Sequence, residues 1–150
     1  MHAEGTDVVY RFNYYPGCTS GEGVVGMGAH IDYTTFTLLF SNGGGGFQVR
    51  DPSGQWVDLP NVPGTVLLMG GEFLTFYSNK RFKAPEHRVL LPSDEQQGRS
   101  SRLSLIFFLH ADGHTPMWPP SDDPASPPPP SVKEYLGKLI GKARAAGYKY

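Results

Sequence analysis

The chain has 150 residues, 39% of them hydrophobic and 18% charged, with a formal net charge of −1. This length suits one domain with a real hydrophobic core, and the near-neutral charge provides no basic surface for nucleic acid or an anionic membrane. No apolar run approaches the ~18 residues of a membrane span, and the first residues lack a signal-peptide pattern. The single cysteine, Cys18, excludes an internal disulfide, so we expect a reducing, cytoplasmic environment.

The first 110 residues alternate between short β-type runs and turn signals, which predicts an all-β domain. The strand expected at 8–15 places Asn13 and Tyr15 on one face, because alternate residues of a strand share a face. A stretch at 28–40 reads as one interrupted strand or as two short ones. Further strands are predicted at 47–50, 55–59, 66–69, 73–77, 87–91 and 102–110. Between them we expect loops at 19–27, 60–64 and 92–101, a glycine-rich hairpin connection at 41–46, and a four-residue hairpin loop at 51–54.

The end of the chain predicts a connector followed by a helix. Residues 111–130 are proline-rich and are expected to run extended along the surface. A capping box formed by Ser131 and Glu134 opens a helix at 131–146. Its apolar stripe should dock on the outside of the β domain. About eight short strands with one terminal helix indicate a jelly roll, also called a double-stranded β-helix.

Three potential metal ligands stand out along these predicted strands. His30 and Asp32 are two positions apart at the centre of GMGAHIDYTTFTLLF, and His87 begins a later strand in APEHRVLLP. Two histidines and one carboxylate form the facial triad that holds non-haem Fe(II) and leaves positions open for chemistry. His-x-Asp alone is a weak signal, since it often arises by chance. Its combination with a distal histidine favours a metal site.

The order of five motifs resembles a known family. RFNYYPGC, GAHIDYTTFTLLF, the long run from GGFQVRDPSGQW to GGEFLTFYSN, RFKAPEHRV and RLSLIFF are similar to the catalytic domain of Fe(II)/2-oxoglutarate-dependent dioxygenases. The nearest branch is the isopenicillin N synthase-like one, and the resemblance covers residues 10 to 110. It implies a double-stranded β-helix that uses Fe(II), O2 and the co-substrate 2-oxoglutarate to oxidise a small organic molecule, with release of succinate and CO2.

The resemblance also implies roles for individual residues. His30, Asp32 and His87 match the iron ligands. Arg102 and Ser104 match the pair that binds the distal carboxylate of 2-oxoglutarate. Asn13 and Tyr15 match residues that face the co-substrate in the family. Phe108 matches an aromatic residue that packs on the substrate, or it is part of the core.

Two alternatives share much of this pattern. An oxidase of the same branch that does not use 2-oxoglutarate also carries Arg-x-Ser, so this pair does not separate the two activities. A binding module, or a fragment incapable of catalysis, would have the same fold, but its three potential ligands would hold no metal. Members of the branch carry a long region before NYYP that helps to wall the substrate pocket, whereas nine residues precede Tyr10 here. We therefore expect an excised domain, a natural fragment or a reduced form.

Overall fold

The structure is a computed structural model that describes residues 8–16, 24–91 and 101–145. Eight strands and two helices lie in these ranges. The strands are β1 (Val8–Tyr15), β2 (Val24–His30), β3 (Phe36–Ser41), β4 (Phe47–Arg50), β5 (Trp56–Asp58), β6 (Leu67–Gly70), β7 (His87–Leu91) and β8 (Arg102–Leu109). The helices are α1 (Glu72–Tyr77) and α2 (Val132–Ala145). The predicted loops at 19–27 and 92–101 and the helix end at 146 lie wholly or partly outside the described residues.

The strands form two four-stranded sheets that face each other. Sheet I has the order β1-β8-β3-β6 and sheet II the order β2-β7-β4-β5, and their pairings are antiparallel. This arrangement confirms the predicted jelly roll. The stretch at 28–40 forms two strands, and β2 already begins at Val24, inside the predicted loop. The segment between β2 and β3 crosses from sheet II to sheet I.

Two clusters of buried apolar side chains stabilise the fold. One lies between the sheets and is formed by Tyr15, Leu39, Phe47, Met69 and Val89. The other lies outside the sandwich, where α1, α2 and the connector meet, and is formed by Phe73, Ala111, Met117 and Val132. Burying apolar side chains at both places removes their surface from water, which is the main favourable term in folding.

The strand predicted at 73–77 is wrong, since this segment is helix α1. The run FLTFY is rich in β-type residues, but tertiary packing outweighs that preference. Phe73, Phe76 and Tyr77 are spaced i, i+3, i+4, so a helix presents all three to the second cluster. Glu72 in the first turn also suits the positive end of the helix dipole.

The hairpin predicted at 41–46 is also wrong. This segment connects β3 in sheet I with β4 in sheet II. Four successive glycines, 43 to 46, have positive φ between 65° and 108°, a region that other residues rarely adopt. A Cβ on Gly46 would collide with the Leu90 carbonyl oxygen, so glycine is required there for close passage. The later hairpin between β4 and β5 is confirmed, with a loop of five residues, 51–55, instead of four.

The terminal helix forms as predicted and packs outside the sandwich, but against helix α1 instead of the strands. The Ser131 hydroxyl accepts a hydrogen bond from the Glu134 N–H (3.3 Å), and the Glu134 carboxylate accepts one from the Ser131 N–H (2.8 Å), which confirms the capping box. Val132 packs on α1 and the connector and not on the outside of a sheet. Most of the connector lies at the surface, as predicted, but it contains turns and is not extended throughout. Met117 is buried, and Pro116 pairs with Ser131.

This docking predicts a difference between two alanine substitutions in α2. Val132 is buried in the second cluster, whereas Ile140 is exposed. Val132→Ala removes two buried methyl groups and leaves a cavity, which should cost about 2 kcal/mol. In thermal unfolding of a chain of this size, that corresponds to a Tm lower by about 4–8 °C. Ile140→Ala serves as the control and should leave Tm nearly unchanged. Equal shifts would contradict the docked position of α2.

The outer face of sheet I is apolar and bears no charged side chain on its described strands. Tyr10, Phe12 and Tyr14 of β1 are 60%, 71% and 66% exposed. Leu103 and Phe40, on the neighbouring strands β8 and β3, extend this surface. Exposed apolar areas of this kind usually mark a contact with another segment or molecule. Among the described helices, none is long and apolar enough to cross a membrane.

Candidate metal and co-substrate site

Antiparallel pairing brings the two distant histidines together. His30 ends β2 and His87 begins β7, and the two residues are direct cross-strand partners. Two register shifts in β2, on either side of Met27, precede this pair. The rings lie 4.3 Å apart between centroids. Asp32 follows β2 in the segment that crosses to sheet I, so its carboxylate returns toward both rings.

The two histidines present the ring nitrogens that a metal requires. Nδ1 of His30 lies 2.8 Å from the Gly28 carbonyl oxygen, and Nδ1 of His87 lies 3.2 Å from that of Pro85. Each Nδ1–H therefore donates to a backbone carbonyl, which leaves the lone pair on Nε2. These Nε2 atoms lie 3.5 Å (His30) and 3.7 Å (His87) from Oδ1 of Asp32. The three donor atoms all lie within 4.8 Å of one another, as three ligands of one ion would.

The charges within this cluster influence one another. The nearby Asp32 carboxylate raises the pKa of His30 above its ordinary value, although burial works against this. Burial of Asp32 alone would raise its pKa, but hydrogen bonding to His30 and Thr37 holds that pKa below the ordinary value. Burial lowers the pKa of His87. A carboxylate that stays ionised and a buried histidine that stays neutral are the forms that bind a divalent metal.

A second set of polar groups faces the same space from sheet I. Arg102 and Ser104 of β8 are 5% and 1% exposed, and they pair across the ladder with Tyr15 and Asn13 of β1. The Arg102 guanidinium carbon lies 5.3 Å from the centre of the Tyr15 ring. Asn13 Nδ2 donates to the Tyr15 hydroxyl at 3.3 Å. The register of one strand pair therefore assembles all four predicted co-substrate residues.

Two buried atoms of this set lack hydrogen-bond partners. Arg102 Nε and Ser104 Oγ have none among the residues that the structure describes. Burial lowers the pKa of Arg102, partly offset by Tyr15. An arginine remains charged nonetheless, and burying that charge without an anion is unfavourable. A carboxylate would satisfy the guanidinium and the hydroxyl together, as the pairing of Arg with carboxylates predicts.

A pocket between the sheets contains both sets of residues. Its empty volume is about 420 Å³, including its opening to solvent. The three metal-site residues and the four co-substrate residues all line it. Its remaining walls are mainly apolar, and Phe108 is among them. The structure therefore brings every predicted site residue to one cavity.

Two lining residues were missed from the sequence. Arg11 lies on the same face of β1 as Asn13 and Tyr15, with its guanidinium carbon 5.6 Å from the centre of the Phe108 ring. Its i, i+2 spacing from Asn13 could have revealed it. Thr37 also lines the pocket and donates a hydrogen bond to Oδ2 of Asp32 at 2.6 Å. Only the fold of the segment after Asp32 shows this contact.

Comparison with known proteins agrees with this geometry. The sequence profile of the 2OG-Fe(II) oxygenase superfamily matches residues 6–111. Scopoletin 8-hydroxylase of Arabidopsis thaliana is 41% identical over 104 residues, which are 69% of this chain and 28% of the hydroxylase. Gibberellin 2-beta-dioxygenase 1 of Pisum sativum is 35% identical over 107 residues, 69% of this chain and 31% of that protein. The chain thus spans less than a third of these relatives' length.

A solved structure shows the same architecture. A full-length protein of Neurospora crassa, in complex with alpha-KG and 5-formyluracil, superposes with a TM-score of 0.74 and 27% identity. The match covers 90% of this chain and 47% of the Neurospora protein. The two sheets therefore have the architecture of a protein solved with 2-oxoglutarate, the molecule abbreviated alpha-KG.

Proposed function

The chain belongs to the 2OG-Fe(II) oxygenase superfamily, and from this premise we propose that it is an Fe(II)- and 2-oxoglutarate-dependent dioxygenase of a small organic molecule. The observation that carries the proposal is that one cavity holds a His-Asp-His cluster and a buried arginine that has no anionic partner among the residues described by the structure. A metal ligand set alone would fit many enzymes. The adjoining carboxylate site selects a co-substrate that has a carboxylate at its far end.

In this proposal His30, Asp32 and His87 hold the metal. When bound, Fe(II) supplies the redox chemistry that couples O2 to substrate oxidation. In a hydroxylation, one oxygen atom enters the substrate and the other enters succinate, while the first carboxyl group of 2-oxoglutarate leaves as CO2. This balance needs no further reductant, because 2-oxoglutarate provides the two remaining electrons.

The other residues bind and orient the co-substrate. Arg102 forks onto its distal carboxylate and Ser104 donates a hydroxyl hydrogen bond. Tyr15 lies against the guanidinium, and Asn13 fixes the tyrosine hydroxyl through its own hydrogen bond. Apolar side chains around them, including Leu39 and Ile106, keep water from competing for these contacts.

Two alternative functions compete with this proposal. The first is an oxidase of the same branch that does not consume 2-oxoglutarate, and the second is a chain without catalytic activity. Succinate formation separates all three. With Fe(II), O2 and 2-oxoglutarate, and with a library of small phenolic and acidic substrates, we expect succinate in a one-to-one ratio with oxidised product. Product without succinate would favour the oxidase. Metal binding without either product would favour an inactive fragment.

The pocket also indicates a substrate class. Its charged lining groups, apart from the histidines, are Asp32, Arg102 and Arg11. One divalent metal, one aspartate, one 2-oxoglutarate dianion and Arg102 sum to zero, which leaves the exposed Arg11 as the lining charge available to a substrate. Among the described residues no acidic side chain pairs with Arg11. We therefore propose a substrate with an acidic group near an apolar or aromatic ring that packs on Phe108.

This assignment predicts a loss of charge preference in Arg11→Gln. An aryl carboxylate should bind the wild type about 3- to 5-fold more tightly than its neutral amide, because exposed ion pairs contribute up to about 1 kcal/mol. In Arg11→Gln the aryl carboxylate and its amide should bind equally tightly, and the affinity for 2-oxoglutarate should be unchanged. The control is Arg88→Gln, since Arg88 stacks on Trp56 outside the cavity. An unchanged ratio in Arg11→Gln would remove Arg11 from the substrate site.

We propose further that residues 8–110 form the catalytic core of a single domain, with the connector and α2 as its support. The apolar outer face of sheet I, above all Tyr10, Phe12 and Tyr14, suits packing against a region such as the N-terminal region described above, which helps to wall the substrate pocket in the branch. The single cysteine is consistent with a cytoplasmic enzyme.

A further inference from the structure

A chain of two buried threonine hydroxyls ends on the carboxylate of Asp32. Thr37 Oγ1 lies 2.6 Å from Asp32 Oδ2, and Thr34 Oγ1 lies 3.0 Å from Thr37 Oγ1. Both threonines are 1% exposed, so water does not replace these contacts. Neither residue belongs to the predicted ligand set.

The chemistry of the carboxylate sets the direction of this chain. An aspartate that ligates a metal is a carboxylate, and a carboxylate only accepts hydrogen bonds. Thr37 must therefore donate its hydroxyl proton to Oδ2. That leaves a lone pair on Thr37 Oγ1, to which Thr34 donates.

The two oxygens of Asp32 thus have different surroundings. Oδ2 is engaged by Thr37, while Oδ1 lies 3.5 Å and 3.7 Å from the Nε2 atoms of His30 and His87. A metal bound by both histidines would meet Oδ1. Its approach to Oδ2 would require the loss of a short, buried, charge-assisted hydrogen bond.

The backbone around Asp32 is held separately. The Glu72 N–H donates to the Asp32 carbonyl at 2.7 Å, and the Gly71 N–H donates to that of Thr35 at 3.0 Å. A Cβ on Gly71 would collide with the Thr34 carbonyl oxygen, so glycine permits this close approach. With the backbone fixed, the main remaining freedom is rotation of the carboxylate about χ2, which has broad minima in aspartate.

We propose that Thr37 is a positioning residue that holds Asp32 as a ligand through one oxygen, supported by Thr34. Single-oxygen ligation keeps the metal's other positions open for 2-oxoglutarate and O2. Without the Thr37 hydroxyl the carboxylate rotates, and Oδ2 competes for one of those positions. This inference rests on the metal site proposed above.

The test compares Thr37→Val with Thr35→Val. Both substitutions replace a buried hydroxyl with a methyl of similar shape, but Thr35 Oγ1 has no hydrogen-bond partner among the described residues. Calorimetric titration with Mn(II) should show about 10- to 100-fold weaker binding in Thr37→Val, the usual effect of losing a partner of a metal ligand. Thr35→Val should bind Mn(II) like the wild type. Thr37→Ser, which keeps the hydroxyl, should recover most of the affinity.

A second measurement tests how Asp32 ligates the metal, and not only how tightly the metal binds. At Fe(II) concentrations that saturate each variant, Thr37→Val should bind 2-oxoglutarate more weakly than Thr35→Val, measured without O2 by the charge-transfer absorption. Thermal unfolding of the metal-free proteins establishes that each variant is folded. If Thr37→Val does not fold, Thr34→Val replaces it, and it should bind Mn(II) more weakly than Thr35→Val does, because Thr34 supports the Thr37 hydroxyl.

Equal Mn(II) affinities in Thr37→Val and Thr35→Val would overturn the inference, as would a Thr37→Ser variant as weak as Thr37→Val. In either case the wild type would still bind Mn(II), so the metal site itself would stand. A wild type that binds no Mn(II) would overturn both this inference and the proposed function.

Discussion

Replacing His87 with alanine should abolish stoichiometric binding of Fe(II) or Mn(II). His87 supplies one of three donor atoms that lie within 4.8 Å of one another, and its Nδ1 bond to Pro85 directs Nε2 toward them. Removing one ligand of three leaves the ion with His30 and Asp32, of which His30 is partly exposed to competing water. Calorimetric titration of the metal-free protein should change from one saturable site to none in the same concentration range.

A matched histidine substitution controls for this result. His114→Ala removes an exposed imidazole whose backbone N–H, and not its ring, bonds Asp112. That variant should bind one metal ion with wild-type affinity. If His87→Ala also kept wild-type affinity, His87 would not be a ligand and the metal would have to bind elsewhere.

The second large effect is expected for Arg102→Gln, which should weaken 2-oxoglutarate binding by about 30-fold or more. The glutamine roughly keeps the side-chain length but removes the charge and the bidentate fork. Truncating one partner of a buried charge pair costs about 2–5 kcal/mol, which is the basis of that factor. Metal affinity should be unchanged, because Arg102 is not a ligand. The measurement is a titration of the Fe(II)-loaded protein with 2-oxoglutarate in the absence of O2.

Stability provides an independent check on Arg102. Its guanidinium is buried with Nε unpaired within the described residues, so the ligand-free protein carries an unfavourable charge. Arg102→Gln should therefore leave Tm equal or raise it, while adding 2-oxoglutarate should stabilise the wild type more than the variant. The control variant is Arg50→Gln, because Arg50 is exposed and its guanidinium pairs with Glu86 at 2.9 Å. A large loss of stability in Arg102→Gln would instead indicate a structural role.

The residues of the candidate site could be selected from the sequence, whereas their arrangement in space could not. His30 with Asp32, and Arg102 with Ser104, are local patterns that strand alternation places on one face. The resemblance to the family then implied their roles and that of His87. The pairing of strands that are far apart in the sequence could not be predicted. That Arg102 faces Tyr15 and Ser104 faces Asn13 follows from the register of β1 with β8, which no short motif specifies.

The errors arose where tertiary packing outweighed local preference. FLTFY has the composition of a strand, but as α1 it buries Phe73 against Val132 and Met117, residues more than 40 positions away. The glycines at 43–46 suggested a tight hairpin, whereas their positive φ angles allow passage between sheets. The contact of Thr37 with Asp32 was missed because it depends on the crossing segment between β2 and β3.

Absorption spectroscopy without O2 tests the central claim most directly, since it detects Fe(II) and 2-oxoglutarate at one site. We predict that adding 2-oxoglutarate to the Fe(II)-loaded wild type produces a visible charge-transfer band that saturates at one equivalent per chain. The band should be missing in His87→Ala and require much more 2-oxoglutarate in Arg102→Gln. A wild type that binds Fe(II) but shows no band at saturating 2-oxoglutarate would contradict the claim that this cavity is a 2-oxoglutarate dioxygenase site.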